Sequence, residues 1–169
     1  METNSYSSPT PEEIEITAPE GVEYLSDLPS ANNLFPNHPC LLHKGKTGCG
    51  GTSVVLYNSI DYIVAVPTVN LVKNKAGEHT LPLLGSYHAL GIYAEVSDSE
   101  ILDYMMLKIP HKLIVTYNSL PRMVKLLQEK DCYPYQKMRL LVDEYHVLFN
   151  SYDFRKEAII NLLCEAKKN

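Results

Sequence analysis

The chain has 169 residues, enough for one domain with a core of its own. A hydrophobic fraction of 45% and a charged fraction of 21% are those of a globular protein and exclude a low-complexity chain. A net charge of −5 excludes a general basic footprint for nucleic acid, so any such contact must be local.

Residues 1–21 carry Ser, Thr, Pro and Glu with few apolar side chains and read as a flexible tail, with Ile14-Glu15-Ile16 as a candidate edge strand. This start has neither the basic end nor the apolar run of a signal peptide, and no apolar stretch is long enough to span a bilayer. A cytoplasmic protein without a membrane partner is therefore expected. Cys40, Cys49, Cys132 and Cys164 form no C-x-x-C pair, which argues against zinc and fits reduced thiols.

Residues 22–169 read as the folded unit. The apolar run Pro39-Cys40-Leu41-Leu42 predicts a first strand over 38–43. The glycine-rich stretch from Lys44 to Ser53 follows, then a short helix over 52–58. The β-branched run 61–66 predicts a second strand, and Thr68 can cap a helix over 69–75. Residues 76–85 resemble a loop, and a third strand is expected over 91–94. Ser97 and Glu100 have the spacing of a capping box, so a helix should run over 98–106. A strand over 111–116, a helix from 118 to about 130 and a strand over 138–142 come next. A final helix capped by Ser151 or Asp153 should reach about 166. Strands alternating with helices predict an α/β fold, a mostly parallel sheet with helices on both faces, whose ligands bind at the carboxyl ends of the strands.

Two stretches carry chemistry. A strand, a glycine-rich turn and a helix form the setting in which backbone N–H groups cradle a phosphate. The pattern G-x-x-x-x-G-K-[ST] fits Gly45, Gly50 and Thr52, but Gly51 stands where the lysine belongs. The second stretch is Leu140-Leu141-Val142-Asp143-Glu144-Tyr145-His146, in which two carboxylates follow an apolar strand. Asp143 is placed to hold Mg²⁺ through water, and Glu144 to orient or deprotonate an attacking water. Two further strand ends, at Val66-Pro67-Thr68 and Val115-Thr116-Tyr117-Asn118-Ser119, offer hydroxyls and helix N–H groups suited to a phosphodiester backbone.

In this order the four stretches resemble the first RecA-like lobe of superfamily 2 helicases, the DEAD/DExH group. Thr47-Gly48-Cys49-Gly50-Gly51-Thr52 resembles motif I, Val66-Pro67-Thr68 motif Ia, Val115-Thr116-Tyr117 the motif Ib region, and Asp143-Glu144-Tyr145-His146 motif II in its D-E-x-H form. The resemblance implies a P-loop NTPase lobe that binds ATP and Mg²⁺. Gly45, Lys46, Thr47, Gly48, Cys49, Gly50, Gly51, Thr52 and Ser53 would surround the phosphates, and Thr52 and Asp143 would hold the metal. Glu144 would act on water, Thr68 and Thr116 would hold nucleic acid (DNA ahead of RNA), and His146 would couple the site to the rest of the machine.

The chain departs from the family pattern in three ways. Gly51 removes a cation from the phosphates; Lys46, five positions earlier, is the expected substitute, as in the deviant loops of ParA/MinD-type ATPases, with Lys44 second. No upstream glutamine motif for adenine is found. The chain also stops where motif III and the second RecA-like lobe would follow, so the lobe is expected to be incomplete, a fragment inactive alone. Two other readings accompany this one. A helicase-derived scaffold that has lost hydrolysis fits the missing lysine, whereas a small-molecule kinase would want a lid with arginines, and the chain has only Arg122, Arg139 and Arg155.

Overall fold

The computed structural model describes residues 13–36, 38–43, 48–76, 89–132, 137–150, 156, 157 and 160. Strands β1 (Tyr62–Val66), β2 (Leu90–Ile92), β3 (Lys112–Thr116) and β4 (Arg139–Val142) form one sheet in the order β2-β3-β1-β4. Every pairing in it is parallel. The helices are α1 (Gly51–Tyr57), α2 (Val69–Ala76), α3 (Asp98–Met105), α4 (Leu120–Glu129) and α5 (His146–Asn150).

All residues of β1 and β3 are buried, because both faces of the sheet are covered. Alternation along the strands sorts them. Tyr62, Val64, Val66 and Ile114 pack with Val55 and Leu56 of α1 and Val72 and Ala76 of α2. Ile63, Ala65, Leu113 and Val115 pack on the opposite face with Ile101 and Met105 of α3 and Met123 and Leu127 of α4. The expected α/β class, with a parallel sheet between two helical layers, is what the chain forms.

Local chemistry sets the helix ends. Ser97 Oγ accepts from Glu100 N at 3.3 Å, and Ser97 N donates to Glu100 Oε2 at 2.9 Å, the reciprocal bonds of a capping box. The bonds from Ser97 also hold the Glu100 carboxyl below its usual range. Helix α4 ends in a Schellman motif: Cys132 N donates to Leu127 O at 3.0 Å and Asp131 N to Gln128 O at 3.1 Å, with Asp131 left-handed at φ 48°. Helix α2 lies so close to β2 that a Cβ on Gly91 would sit 2.8 Å from Val72 Cγ1 and 3.0 Å from Ala76 Cβ. Glycine at 91 permits that approach.

Lys112 is fully buried at the start of β3, and its ammonium closes the end of α1. Its Nζ donates to Val55 O at 2.6 Å, to Asn58 Oδ1 at 2.9 Å and to Ile60 O, and it lies 5.1 Å from the Tyr62 ring centroid. Three acceptors for three ammonium protons make the burial of this charge tolerable.

Several expectations are corrected. Residues 38–43 form no strand, and Leu41 is 69% exposed. A strand needs a neighbour for its backbone groups; β4 is the outermost described strand on its side of the sheet, and Pro39 removes one donor from the segment. Ile14 and Ile16 also lie outside any strand, at 70% and 43% exposure. The strand expected at 91–94 instead spans Leu90–Ile92, and the chain re-enters a helix at His146 directly after β4. Ser151 and Asp153, the expected caps of the last helix, and most of the expected loop at 76–85 lie outside the described residues. No helix among the described residues is long and apolar enough to cross a membrane.

Candidate functional site

The glycine turn is described from Gly48 onward; Lys44, Gly45, Lys46 and Thr47 lie outside the described residues. Gly48 and Gly50 both have positive φ, 74° and 81°, and Gly50 is the N-cap of α1. A Cβ on Gly50 would meet Tyr24 Cβ at 3.2 Å and Ser26 Oγ at 3.3 Å, and Leu25 N donates to Cys49 O at 2.7 Å. The turn is thus seated on the short 3₁₀ segment Leu25–Asp27. Cys49 and Gly51 are buried, and Thr52 and Ser53 occupy the first turn of α1, partly exposed.

The two motifs meet at one corner. Thr52 Oγ1 donates to Asp143 Oδ2 at 2.7 Å. Lys75 Nζ, from the last turn of α2, donates to Thr52 Oγ1 at 3.0 Å and lies 3.1 Å from Asp143 Oδ2. The three polar atoms form a closed triangle supplied by three different helices and strand ends. Asp143 is 7% exposed, so its carboxylate requires such partners. Its other oxygen, Oδ1, accepts from Glu144 N at 3.0 Å.

Asp143 leaves β4 along a braced path. Its N–H donates to Ala65 O at 2.9 Å, and the Tyr117 hydroxyl donates to Asp143 O at 2.6 Å. Tyr117 N in turn donates to Val66 O at 2.9 Å, so the turn after β3 holds the ends of both β1 and β4. The next residue, Glu144, is left-handed at φ 58°, a conformation that costs a side-chain-bearing residue energy and collects at functional turns. Its carboxylate lies 3.5 Å from His146 Nε2, and both side chains reach solvent.

The two threonines expected to face nucleic acid differ. Thr68 is exposed, and its Oγ1 accepts from Leu71 N at 3.3 Å as a cap of α2. Thr116 is 6% exposed; its Oγ1 donates to Ser119 Oγ at 3.0 Å and accepts from Ser119 N at 3.2 Å. Its hydroxyl is committed to the turn that carries Tyr117.

Sequence reasoning brought Thr52 and Asp143 to one site but missed Lys75 and Tyr117. Nothing local marks Lys75: it is one of two lysines in the last turn of α2, where a cation is favoured by the helix dipole alone. Its other lysine, Lys73, lies 5.2 Å from the centroid of the Tyr93 ring instead.

Thr52 Oγ1 and Asp143 Oδ2, here hydrogen-bonded to each other at 2.7 Å, are hard oxygens of the kind that magnesium takes directly or through water. The donor set therefore suits Mg²⁺. Among the described residues no group of three or more His, Cys, Asp or Glu side chains could hold a metal, so water and phosphate would have to supply the remaining ligands. No protein-family model, curated protein or solved structure matches the chain.

Proposed function

We propose that the chain is the nucleotide-binding part of a RecA-like lobe from a helicase- or translocase-like protein. It would bind ATP with Mg²⁺ and act on nucleic acid in the cytoplasm together with a second lobe. The observation that carries this reading is the 2.7 Å contact between Thr52 and Asp143. The turn after a glycine-rich loop and the carboxyl end of a parallel strand converge there, as a phosphate site on such a sheet requires.

Within this reading each residue has a task. Thr52 and Asp143 would hold the magnesium ion, which supplies charge neutralisation on the β- and γ-phosphates. Glu144, outside the buried corner and next to solvent, accepts a proton from water or orients it. Tyr117 fixes the turn that presents Asp143. His146, beside Glu144, is the route by which a change at the acidic turn reaches α5. Thr68 offers an exposed hydroxyl to a phosphodiester backbone, and the buried Thr116 supports the neighbouring turn.

The rival reading, a scaffold without hydrolysis, is favoured by one observation: Lys75 already neutralises Asp143. Equilibrium titration of the full chain with ATP and ADP in Mg²⁺ separates the two. The nucleotide reading expects saturable binding that weakens about tenfold or more in Asp143→Asn. Wild-type protein that binds neither nucleotide, while giving a cooperative melt, would leave the scaffold.

A further inference from the structure

Position 51 has no side chain, yet the corner beside it contains an ammonium group. We infer that Lys75 is the phosphate cation of this site, delivered from helix α2 in place of a loop lysine. We further infer that it allows a polyphosphate to bind without a divalent metal. The inference rests on the nucleotide reading above and assigns the group on which phosphate binding depends.

A polyphosphate entering beside Thr52 meets the buried carboxylate of Asp143, a like charge in a poorly solvated corner. A cation must stand between them. Lys75 Nζ is already there, 3.0 Å from Thr52 Oγ1 and 3.1 Å from Asp143 Oδ2. Of the three protons of an ammonium, these contacts use two, and the lysine side chain as a whole is 22% exposed.

Val72 and Ala76, on either side of Lys75 along α2, are buried, and Gly91 lets their helix lie directly on β2. The backbone from which Lys75 reaches is therefore fixed by packing. Only its flexible stem needs to turn for the third ammonium proton to reach a phosphate oxygen while Asp143 stays paired, and when magnesium is present the ammonium can give up Asp143 Oδ2 to that ion.

The test is a titration of the full chain with fluorescent ADP and with inorganic triphosphate, in excess EDTA and again in Mg²⁺. Wild type, Lys75→Met, Lys75→Gln, Lys75→Arg and Lys46→Met are compared, each checked for a cooperative melt. The expected result is binding by wild type in EDTA, weakened about tenfold or more in Lys75→Met and Lys75→Gln. Lys75→Arg should retain binding, and Lys46→Met should be affected less than Lys75→Met. Wild-type affinity in both neutral variants overturns the inference, as does binding by wild type in Mg²⁺ alone. Loss in Lys46→Met with Lys75→Met unchanged transfers the role to the loop lysine and overturns it too. A wild type that binds nothing in either buffer overturns the nucleotide reading itself, a different outcome from the others.

Discussion

Thr52 Oγ1 and Asp143 Oδ2 meet at 2.7 Å although 91 positions of sequence separate them. The bond ties the first turn of α1 to the end of β4, with the whole sheet folded between them. Thr52→Val keeps the shape and deletes both the donor to Asp143 and the acceptor of Lys75. It should cost about 1–2 kcal/mol in urea unfolding and weaken Mg–ATP binding about tenfold. Unchanged stability and affinity together would show that the bond is not formed in solution.

Glu144 is strained at φ 58°. Glycine accepts that conformation at no steric cost, so Glu144→Gly should fold at least as stably as wild type, gaining up to about 1 kcal/mol. Nucleotide binding should persist, and on the nucleotide reading any ATP hydrolysis reached together with a second lobe should fall by about a hundredfold or more, since the carboxylate proposed to act on water is gone. Parallel melting, binding and phosphate-release measurements check all three. A large destabilisation would mean that the Glu144 side chain holds the turn, and that the strain has no functional counterpart.

Gly91→Ala places a methyl 2.8 Å from Val72 Cγ1 and 3.0 Å from Ala76 Cβ. Either the helix or the strand must shift, at about 1–3 kcal/mol. Because α2 carries Lys75, the same variant should also weaken nucleotide binding, although residue 91 touches none of the site side chains described. Chemical denaturation and the ADP titration measure the two effects separately.

Lys112→Met leaves Val55 O, Asn58 Oδ1 and Ile60 O without their ammonium donor. The loss should be about 2–4 kcal/mol, since buried acceptors are left unsatisfied. Its pH dependence has a definite sign. Burial lowers the Lys112 pKa from 10.5 to about 8, and the Asp61 carboxylate offsets that only in part. Between about pH 8 and 10.5 the unfolded chain holds a proton that the folded chain has released. The proton-linked part of the Lys112 contribution therefore grows as pH rises through that window, by up to about 1.4 kcal/mol per pH unit, and is absent below about pH 8, where its hydrogen bonds alone remain. The gap between wild type and Lys112→Met, followed by urea midpoints from pH 7 to 10, should widen accordingly.

Much of the sheet was legible because its signals are local. The run Tyr62-Ile63-Val64-Ala65-Val66 reads as a strand with two covered faces, and Ser97 with Glu100 announces the start of α3 by spacing alone. The meeting of Thr52 and Asp143 was legible from the order of the motifs. Residues 38–43 misled because apolar composition says nothing about whether a neighbouring strand exists. Lys75 was invisible for a related reason. Helical periodicity separates it from the Val72–Ala76 stripe, but no local rule shows that a side chain off that stripe reaches across to a carboxylate 68 positions later. Tyr117 was hidden in the same way, since its partners lie on β1 and after β4.

Lys112 also sets an order of assembly. Helix α1 has seven residues, too few to persist in water by itself. The ammonium that closes its far end comes from β3, and the bond to Val55 O spans 57 positions. Thr52 therefore sits on a helix that is completed only once a distant strand has docked, a non-local step of the kind that slows folding. Amide hydrogens of α1 should exchange no more slowly than those of β3, and the corner where Thr52 meets Asp143 should be among the last parts of the chain to become ordered.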